Sequence, residues 1–146
     1  MIYYKTDEEI ELIRLSSLLV GKTLAEVAWH IRPGVTTASL DKVAETFIRD
    51  HGAVPGFKGY GGFPGTLCVS VNDVVVHGIP GNQVLKDGDL VSVDCGVVLN
   101  GFYGDSAYSF AVGDVTEEVQ LLMERTKRSL YLGIEAAKAG KRTGDI

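Results

Sequence analysis

"LVSVDCGVVLNGFYGDSAYSF", residues 90–110, contains two strand-like runs on either side of Asn100-Gly101. Asn-Gly is the strongest short signal for a two-residue β-hairpin, because a type I′ turn needs positive φ at both central residues. The stretch therefore predicts antiparallel strands over residues 90–99 and 102–112. A carboxylate, Asp94, lies in the middle of the first apolar run, and a second, Asp105, follows the turn.

The expected register of this hairpin brings the two aspartates to one face. A two-residue turn pairs Gly96 with Asp105 and Asp94 with Ala107, and side chains alternate between faces along a strand. Asp94 and Asp105 are then diagonal neighbours with Cα atoms roughly 7–8 Å apart. Gly96 would leave open space between the carboxylates, whereas a one-residue bulge would reverse the parity.

Two neighbouring carboxylates need a partner, because like charges repel and burial increases the penalty. The hairpin carries no Arg or Lys. A shared proton is one solution, and a divalent cation fits better because it prefers oxygen ligands. Two aspartates that simply face water remain an alternative.

The string Gly104-Asp105-Ser106 occurs in some serine esterases, but Ser106 has the opposite parity to Asp105, and G-x-S-x-G is absent.

His77, in "VVVHGIP" (74–80), precedes the carboxylate pair. A lone His is more often structural than catalytic. Its proximity in sequence to converging carboxylates favours a shared site.

The rest of the chain predicts an α+β fold in which helices pack on one face of an antiparallel sheet. A capping box at Thr6 and Glu9 begins a first helix, and Pro33-Gly34 ends it. A second helix follows Thr36-Thr37. A Gly/Pro/aromatic loop (52–65) leads to the short apolar runs "LCVSV" (67–71) and "VVVHGIP".

A third helix is predicted from near Thr116 to near Gly140. Helical spacing assigns its inward face to Val119, Leu122, Met123, Thr126, Leu130, Ile134 and Ala137. A faint repeat links "RPGVTT" (32–37), after the first helix, to "KAGKRT" (138–143), after the third. Many helices end in Gly after a basic residue, so the repeat alone is weak.

Composition narrows the class of protein. The 146 residues have a formal net charge of −5, and no cluster of Lys or Arg indicates a dedicated nucleic-acid surface. No apolar segment is long enough to span a membrane. Cys68 and Cys95 have no metal-type spacing, so we expect free thiols and a cytoplasmic protein.

Taken together, these motifs resemble the type I methionine aminopeptidases. The matching stretches are "SVNDVVVHGIP" (70–80), "LKDGDLVSVDCGV" (85–97), "NGFYGDSAYSFAVG" (100–113) and "RPGVTTASLD" (32–41). The resemblance implies the pita-bread fold of the creatinase/aminopeptidase family. Residues 1–115 would form its first αβ half, and 116–146 would begin a second, truncated half.

The resemblance also implies a function. Two divalent metal ions (Mn, Fe, Co or Zn) would supply a metal-bound hydroxide that attacks the first peptide bond and removes the initiator Met from nascent proteins, close to the ribosome. Asp94 would chelate one metal, Asp105 would bridge both, and His77 would act as the catalytic residue beside the scissile amide. The methionine pocket would be walled by Phe57, Tyr60, Phe63 and Cys68, and a monovalent cation would be held by the carbonyls of Asn72 and Val74.

The resemblance implies further ligands, one His and two Glu, that this chain lacks. We therefore expect an incomplete fragment that is inactive alone and needs a missing C-terminal half. The repeat at 138–143 would then open the second half. Alternatives are a non-catalytic pita-bread binding module and a prolidase-like relative, which would cleave before Pro.

Overall fold

A computed structural model describes residues 2–146. The chain divides into two compact units, Met1–Asp114 and Val115–Ile146. The first contains α1 (Asp7–His30), α2 (Thr37–Asp50), β1 (Val54–Pro55), a 3-10 turn (Tyr60–Gly62), β2 (Leu67–Val71), β3 (Leu90–Leu99) and β4 (Phe102–Ala111). The second contains α3 (Glu117–Ala136) and a 3-10 turn (Thr143–Asp145). The predicted α+β class is confirmed.

The sheet is built around β3. β4 pairs antiparallel with all ten residues of β3, from Leu90↔Ala111 to Leu99↔Phe102. β2 and β1 also pair antiparallel with β3, at residues 91–95 and 97–98, and therefore share its other edge. Asn100 and Gly101 have φ values of 54° and 81°, as a type I′ turn requires. The predicted register is confirmed, with no bulge to reverse the parity.

The core lies between one face of the sheet and the helices α1 and α2. Alternate residues of β3 point into it, and they are Val91, Val93, Cys95 and Val97. They pack with α1 through Val20, Leu24 and Val27, and with α2 through Leu40, Ala44 and Ile48. Each Val, Leu or Ile among them contributes about 1.5–3 kcal/mol through burial. The opposite face of β3 is therefore free to carry polar groups.

A close contact between α1 and the hairpin sets the position of β4. A Cβ added at Gly104 would lie 2.7 Å from the backbone carbon of Ser16. The buried Ser16 hydroxyl donates a hydrogen bond to the carbonyl oxygen of Val97 at 3.0 Å. Only glycine fits at this contact, one residue before Asp105.

The helix signals in the first unit are confirmed. Thr6 and Glu9 form a capping box at α1, and Thr36 caps α2 by accepting from the Ser39 amide. α1 ends at His30, ahead of Pro33, and Gly34 has a φ of 90°. No helix among residues 2–146 has the length and apolar character to cross a bilayer.

The inward face predicted for α3 is wrong. Leu122, Leu130 and Ile134 are exposed, and Gly133 is the buried residue of this helix. Helical spacing identifies an apolar stripe but not what covers it. α3 also ends at Ala136, four residues before the predicted Gly140.

The faint repeat in the sequence extends to the local backbone. Gly34 and Gly140 have φ values of 90° and 85°, and helical turns begin three residues after each, at Thr37 and Thr143. The positive φ explains why glycine stands at both positions. That residues 116–146 begin a second half of the fold stays a prediction.

Candidate functional site

The two aspartates of the hairpin face each other on the side of the sheet opposite the core. Asp94 is partly buried, and the carboxyl group of Asp105 is close enough to act on its ionisation. Burial, and then the charge of Asp105, raise the pKa of Asp94 to about 6. The charge of His77 and the backbone amide of Cys95 act in the opposite direction. The predicted convergence of the carboxylates is therefore observed, and their role as metal ligands stays a prediction.

The open space expected at Gly96 is not found. A Cβ at this position would overlap the aromatic ring of Phe57. Gly56 packs against the same strand, and its amide donates to the carbonyl oxygen of Gly96 at 2.7 Å. Gly96 therefore makes room for an aromatic ring beside the carboxylates and not for an empty cavity. The hairpin alone could not reveal this, because Phe57 is 39 residues away in sequence.

Cys68 lies on β2, directly opposite Asp94 in the pairing of β2 with β3. Its side chain is buried, with 6% of its surface exposed. Burial, followed by the charges of Asp94 and Asp105, raises the pKa of the Cys68 thiol to about 11. The neutral thiol is a small apolar surface beside the carboxylate pair.

The other two predicted pocket residues flank a tight turn. The Phe63 amide donates to the Tyr60 carbonyl oxygen at 2.9 Å, and the Gly59 amide donates to the Phe63 carbonyl oxygen at 2.7 Å. Tyr60 is 81% exposed and Phe63 is partly buried. The fold thus brings Phe57 and Cys68 to the sheet face that carries the aspartates, while Tyr60 extends into solvent.

His77 lies in an exposed loop and has a left-handed backbone with a φ of 57°. The apolar run "VVVHGIP" is not a strand, and Val75 is 87% exposed. The next residue holds the loop to β2: the Gly78 amide donates to Ser70 Oγ at 3.2 Å, and the Val69 amide donates to the Gly78 carbonyl oxygen at 2.9 Å. These contacts hold the loop to the strand that carries Cys68, and the charge of His77 acts on Asp94.

The proposed cation-binding carbonyls belong to the turn after β2. Asn72 has a φ of 55°, and its side chain bonds to the carboxylate of Asp89 and the amide of Leu90, each at 2.9 Å. Among residues 2–146, no donor is hydrogen-bonded to the carbonyl oxygen of Asn72 or Val74. Both oxygens are available to a ligand, and the cation stays a prediction.

Sequence reasoning missed several polar contacts that frame this site. Ser92 and Ser109 form a hydroxyl pair at 2.8 Å on the same sheet face as Asp94. The predicted register of the hairpin already pairs Ser92 with Ser109, so this contact could have been predicted from the sequence. Asp41, on α2, accepts hydrogen bonds from the amides of Thr66 and Leu67. No local pattern indicated that contact.

The donor set suits part of a metal centre. Asp94 and Asp105 offer hard carboxylate oxygens, and their mutual repulsion is what a divalent cation would relieve. In the described part of the chain, no group of three or more His, Cys, Asp or Glu side chains is arranged to hold a metal ion. The carboxylates therefore fit a metal only as members of a larger ligand set.

Comparison with known proteins identifies the family. Residues 11–146 match Metallopeptidase family M24. The whole chain is 49% identical to methionine aminopeptidase 1 of Bacillus subtilis, but it spans only 59% of the length of that relative. The crystal structure of methionine aminopeptidase from Rickettsia prowazekii superposes with a TM-score of 0.90 at 39% identity, over 92% of this chain and 54% of that one.

A prolidase from Pyrococcus furiosus shares the fold, with a TM-score of 0.83 at 24% identity over 93% of this chain and 39% of that one. The predicted pita-bread fold is thus confirmed by methionine aminopeptidase and prolidase structures alike. Because the family match covers nearly all of the sequence, the chain belongs to metallopeptidase family M24.

Proposed function

We propose that this chain is the part of a methionine aminopeptidase that carries the first two metal-binding carboxylates. The enzyme would remove the initiator Met from nascent proteins in the cytoplasm, close to the ribosome. The observation that carries the proposal is the Asp94–Asp105 pair on one sheet face, flanked by His77 and Phe57. The 49% identity to a relative named methionine aminopeptidase 1 supports the substrate class.

Each side chain has a distinct task in this proposal. Asp94 and Asp105 would hold two divalent ions, and Mn, Fe, Co and Zn all suit mixed carboxylate and His ligation. Such ions, when bound, polarise the peptide carbonyl and lower the pKa of water. His77 donates a hydrogen bond to the substrate near the scissile amide and so orients the bond that breaks.

The substrate methionine would lie against Phe57 and Cys68. A thioether packs favourably on an aromatic ring, and a neutral thiol adds apolar surface without competing for the α-amino group. Tyr60 and Phe63 would complete the wall of this pocket when substrate is bound. The carbonyls of Asn72 and Val74 would hold a monovalent cation that stiffens the turn between β2 and the His77 loop.

The remaining ligands, one His and two Glu, would come from polypeptide outside these residues. Two carboxylates alone leave most coordination positions to water, so the 146-residue chain should bind metal weakly and hydrolyse no peptide. Addition of a separately produced C-terminal half should restore some turnover. Robust turnover by the isolated chain would contradict this assignment of ligands.

The experiment that tests the function uses the full-length protein with added Mn or Co. Asp105→Asn should nearly abolish hydrolysis of a Met-Ala-Ser peptide, because a neutral amide lacks the negative charge with which Asp105 would hold a divalent ion. Ser106→Ala is the matched control, since residue 106 points to the other face, and it should keep most of the activity. Full activity in Asp105→Asn would refute the metal site, and loss in Ser106→Ala would favour a serine hydrolase.

A second peptide separates the proposal from its nearest alternative. A prolidase-like relative would cleave an Xaa-Pro bond, whereas the proposed enzyme releases Met ahead of a small residue. The full-length protein should therefore hydrolyse Met-Ala-Ser and leave Ala-Pro intact. The opposite preference would assign the prolidase activity, and no hydrolysis of either peptide with intact metal ligands would indicate a binding module.

A further inference from the structure

Helix α2 carries three polar side chains at intervals of four residues: Thr37, Asp41 and Glu45. Side chains at this spacing lie on one face of a helix, and a rise of about 1.5 Å per residue places the first and last about 12 Å apart. We refer to these three residues as the α2 stripe. None of them belongs to the metal or substrate site described above, yet each contacts a segment that does.

Thr37 holds the segment that follows His77. Its hydroxyl accepts from the Gly81 amide at 2.9 Å and lies 3.1 Å from the Gly81 carbonyl oxygen, to which it can donate. The Ala38 amide donates to the same carbonyl oxygen at 2.9 Å. Thr37 is 1% exposed, so these contacts are shielded from water. Gly81 is thereby fixed to the first turn of α2, four residues after His77.

Asp41 holds the end of the aromatic loop (56–66). One carboxylate oxygen, Oδ1, accepts from the amide of Thr66 at 2.7 Å and from the amide of Leu67 at 2.8 Å. Burial raises the pKa of Asp41, and these two amides oppose the rise. A partly buried carboxylate that accepts two backbone amides makes a strong, directional contact.

Glu45 holds the beginning of the same loop. Its carboxylate lies 2.8 Å from Lys58 Nζ and 3.0 Å from Arg49 on its own helix. Lys58 and Arg49 are exposed, so solvent screens these ion pairs, and Glu45 is the weakest of the three contacts. Lys58 follows directly on Phe57, the residue whose ring covers Gly96.

The two segments also touch each other. A Cβ added at Gly65, in the aromatic loop, would lie 2.9 Å from Cδ of Pro80, in the segment after His77. One rigid helix therefore contacts two loops at three points, and the loops pack together between the contacts. Each segment is also held to the sheet by itself, through the contacts of Gly78 with β2 and of Gly56 with β3. The contacts with α2 add a single element that touches both segments.

We propose that the α2 stripe is a positioning element that fixes the Phe57 loop and the His77 segment relative to Asp94 and Asp105. Given the proposed aminopeptidase function, on which this part rests, the stripe has two separable effects. Asp41 and Glu45 fix the position of the loop that walls the methionine pocket, and this position governs substrate binding. Thr37 fixes the position of the segment after His77, and the resulting orientation of His77 governs the reaction step.

The test compares kinetics of two pairs of variants in the full-length, metal-loaded protein. Asp41→Ala should raise KM for Met-Ala-Ser about tenfold with kcat changed less than about twofold, because ground-state contacts are lost. Asp41→Asn should restore a KM near that of wild type, since its Oδ1 can still accept both amides. Thr37→Val should lower kcat about tenfold with little change in KM, because a small misplacement of the orienting group His77 slows the reaction. Thr37→Ser keeps the hydroxyl group and should restore kcat.

Asp50→Ala is the matched control, an acidic residue of the same helix outside the stripe, and it should leave both constants unchanged. The proposal would be overturned if Asp41→Asn were as defective as Asp41→Ala. Loss of folded protein lowers the apparent kcat and leaves KM unchanged, so kcat is calculated per folded protein, with the folded fraction measured by circular dichroism. The proposal would also be overturned if Asp41→Ala left KM unchanged, or if kcat per folded Thr37→Val protein equalled that of wild type.

A structural readout keeps this test independent of the proposed activity. In NMR spectra, Asp41→Ala should speed hydrogen exchange at the Thr66 and Leu67 amides and weaken the cross-peak between Phe57 and Gly96. Asp41→Asn should change neither. If the wild-type protein hydrolyses no Met peptide, the aminopeptidase proposal fails, and these spectra decide the positioning role alone. Unchanged exchange and an unchanged Phe57 cross-peak in Asp41→Ala would refute it.

Discussion

Replacing Asp94 by Asn should stabilise the metal-free chain while it removes a proposed metal ligand. In the folded chain, burial and the adjacent Asp105 raise the pKa of Asp94 from 3.8 to about 6. A raised carboxyl pKa means that the folded state resists ionisation. The free energy of unfolding therefore falls as pH rises from about 4 to about 6, and it stays lower above that range. Asparagine does not ionise, so the variant escapes this loss.

The size of the effect follows from the pKa difference. A shift of about two units corresponds to about 3 kcal/mol at 1.36 kcal/mol per unit. Asp94 retains some exposure, and solvent screens part of this repulsion. We therefore expect Asp94→Asn to raise the free energy of unfolding by on the order of 1–2 kcal/mol at pH 7.5 and by almost nothing below pH 4.

Urea denaturation with EDTA present measures this difference at the two pH values. Asp73→Asn, in an exposed turn outside the hairpin, is the control and should change stability by less than about 0.5 kcal/mol. An Asp94→Asn chain that is no more stable than wild type at pH 7.5 would refute the mutual repulsion of the two carboxylates. A gain of equal size at pH 4 would assign the effect to something other than ionisation.

Three other perturbations test the surroundings of the site. Gly96→Ala should displace the Phe57 ring and raise KM for Met peptides, and the double variant with Phe57→Ala should show less than the summed loss, because the clash is gone. Gly101 has a φ of 81°, so Gly101→Ala should lower the free energy of unfolding in urea by about 1–2 kcal/mol. Gly21→Ala in α1 should raise it, because alanine favours a helix and no atom lies within 4 Å of the new Cβ. Cys68 should react with iodoacetamide at pH 8 roughly 100-fold more slowly than a thiol of pKa 9.0, since its own pKa is about 11; peptide mapping that finds rapid modification in the folded chain would contradict this.

The hairpin was predictable because its information is local. Asn100-Gly101 sets the turn, the turn sets the register, and the register places Asp94 and Asp105 on one face. No residue outside the hairpin is needed for that inference. The helix starts at Thr6 and Thr36 were predictable for the same reason, since a cap is made by residues within one turn.

The surroundings of the carboxylates were not predictable from local patterns. Gly96 indicates a close approach, but only the fold reveals that Phe57 makes it. The contact of Asp41 with Thr66 and Leu67 joins a helix face to a strand start 25 residues later. For α3, the apolar spacing correctly predicted a helix but incorrectly predicted which of its faces is buried.

The hairpin also has a consequence for the order in which the site assembles. Asp94 and Asp105 are eleven residues apart, so closing their loop loses little chain entropy, and an isolated β-hairpin forms in about 1–10 μs. The contacts of the loops are far less local, as Thr37 and Gly81 are 44 residues apart. We expect the two acidic groups to meet early in folding, before α2 docks and the pocket exists. A nascent chain would then hold an exposed pair of carboxylates before it has any pocket that could recognise a peptide.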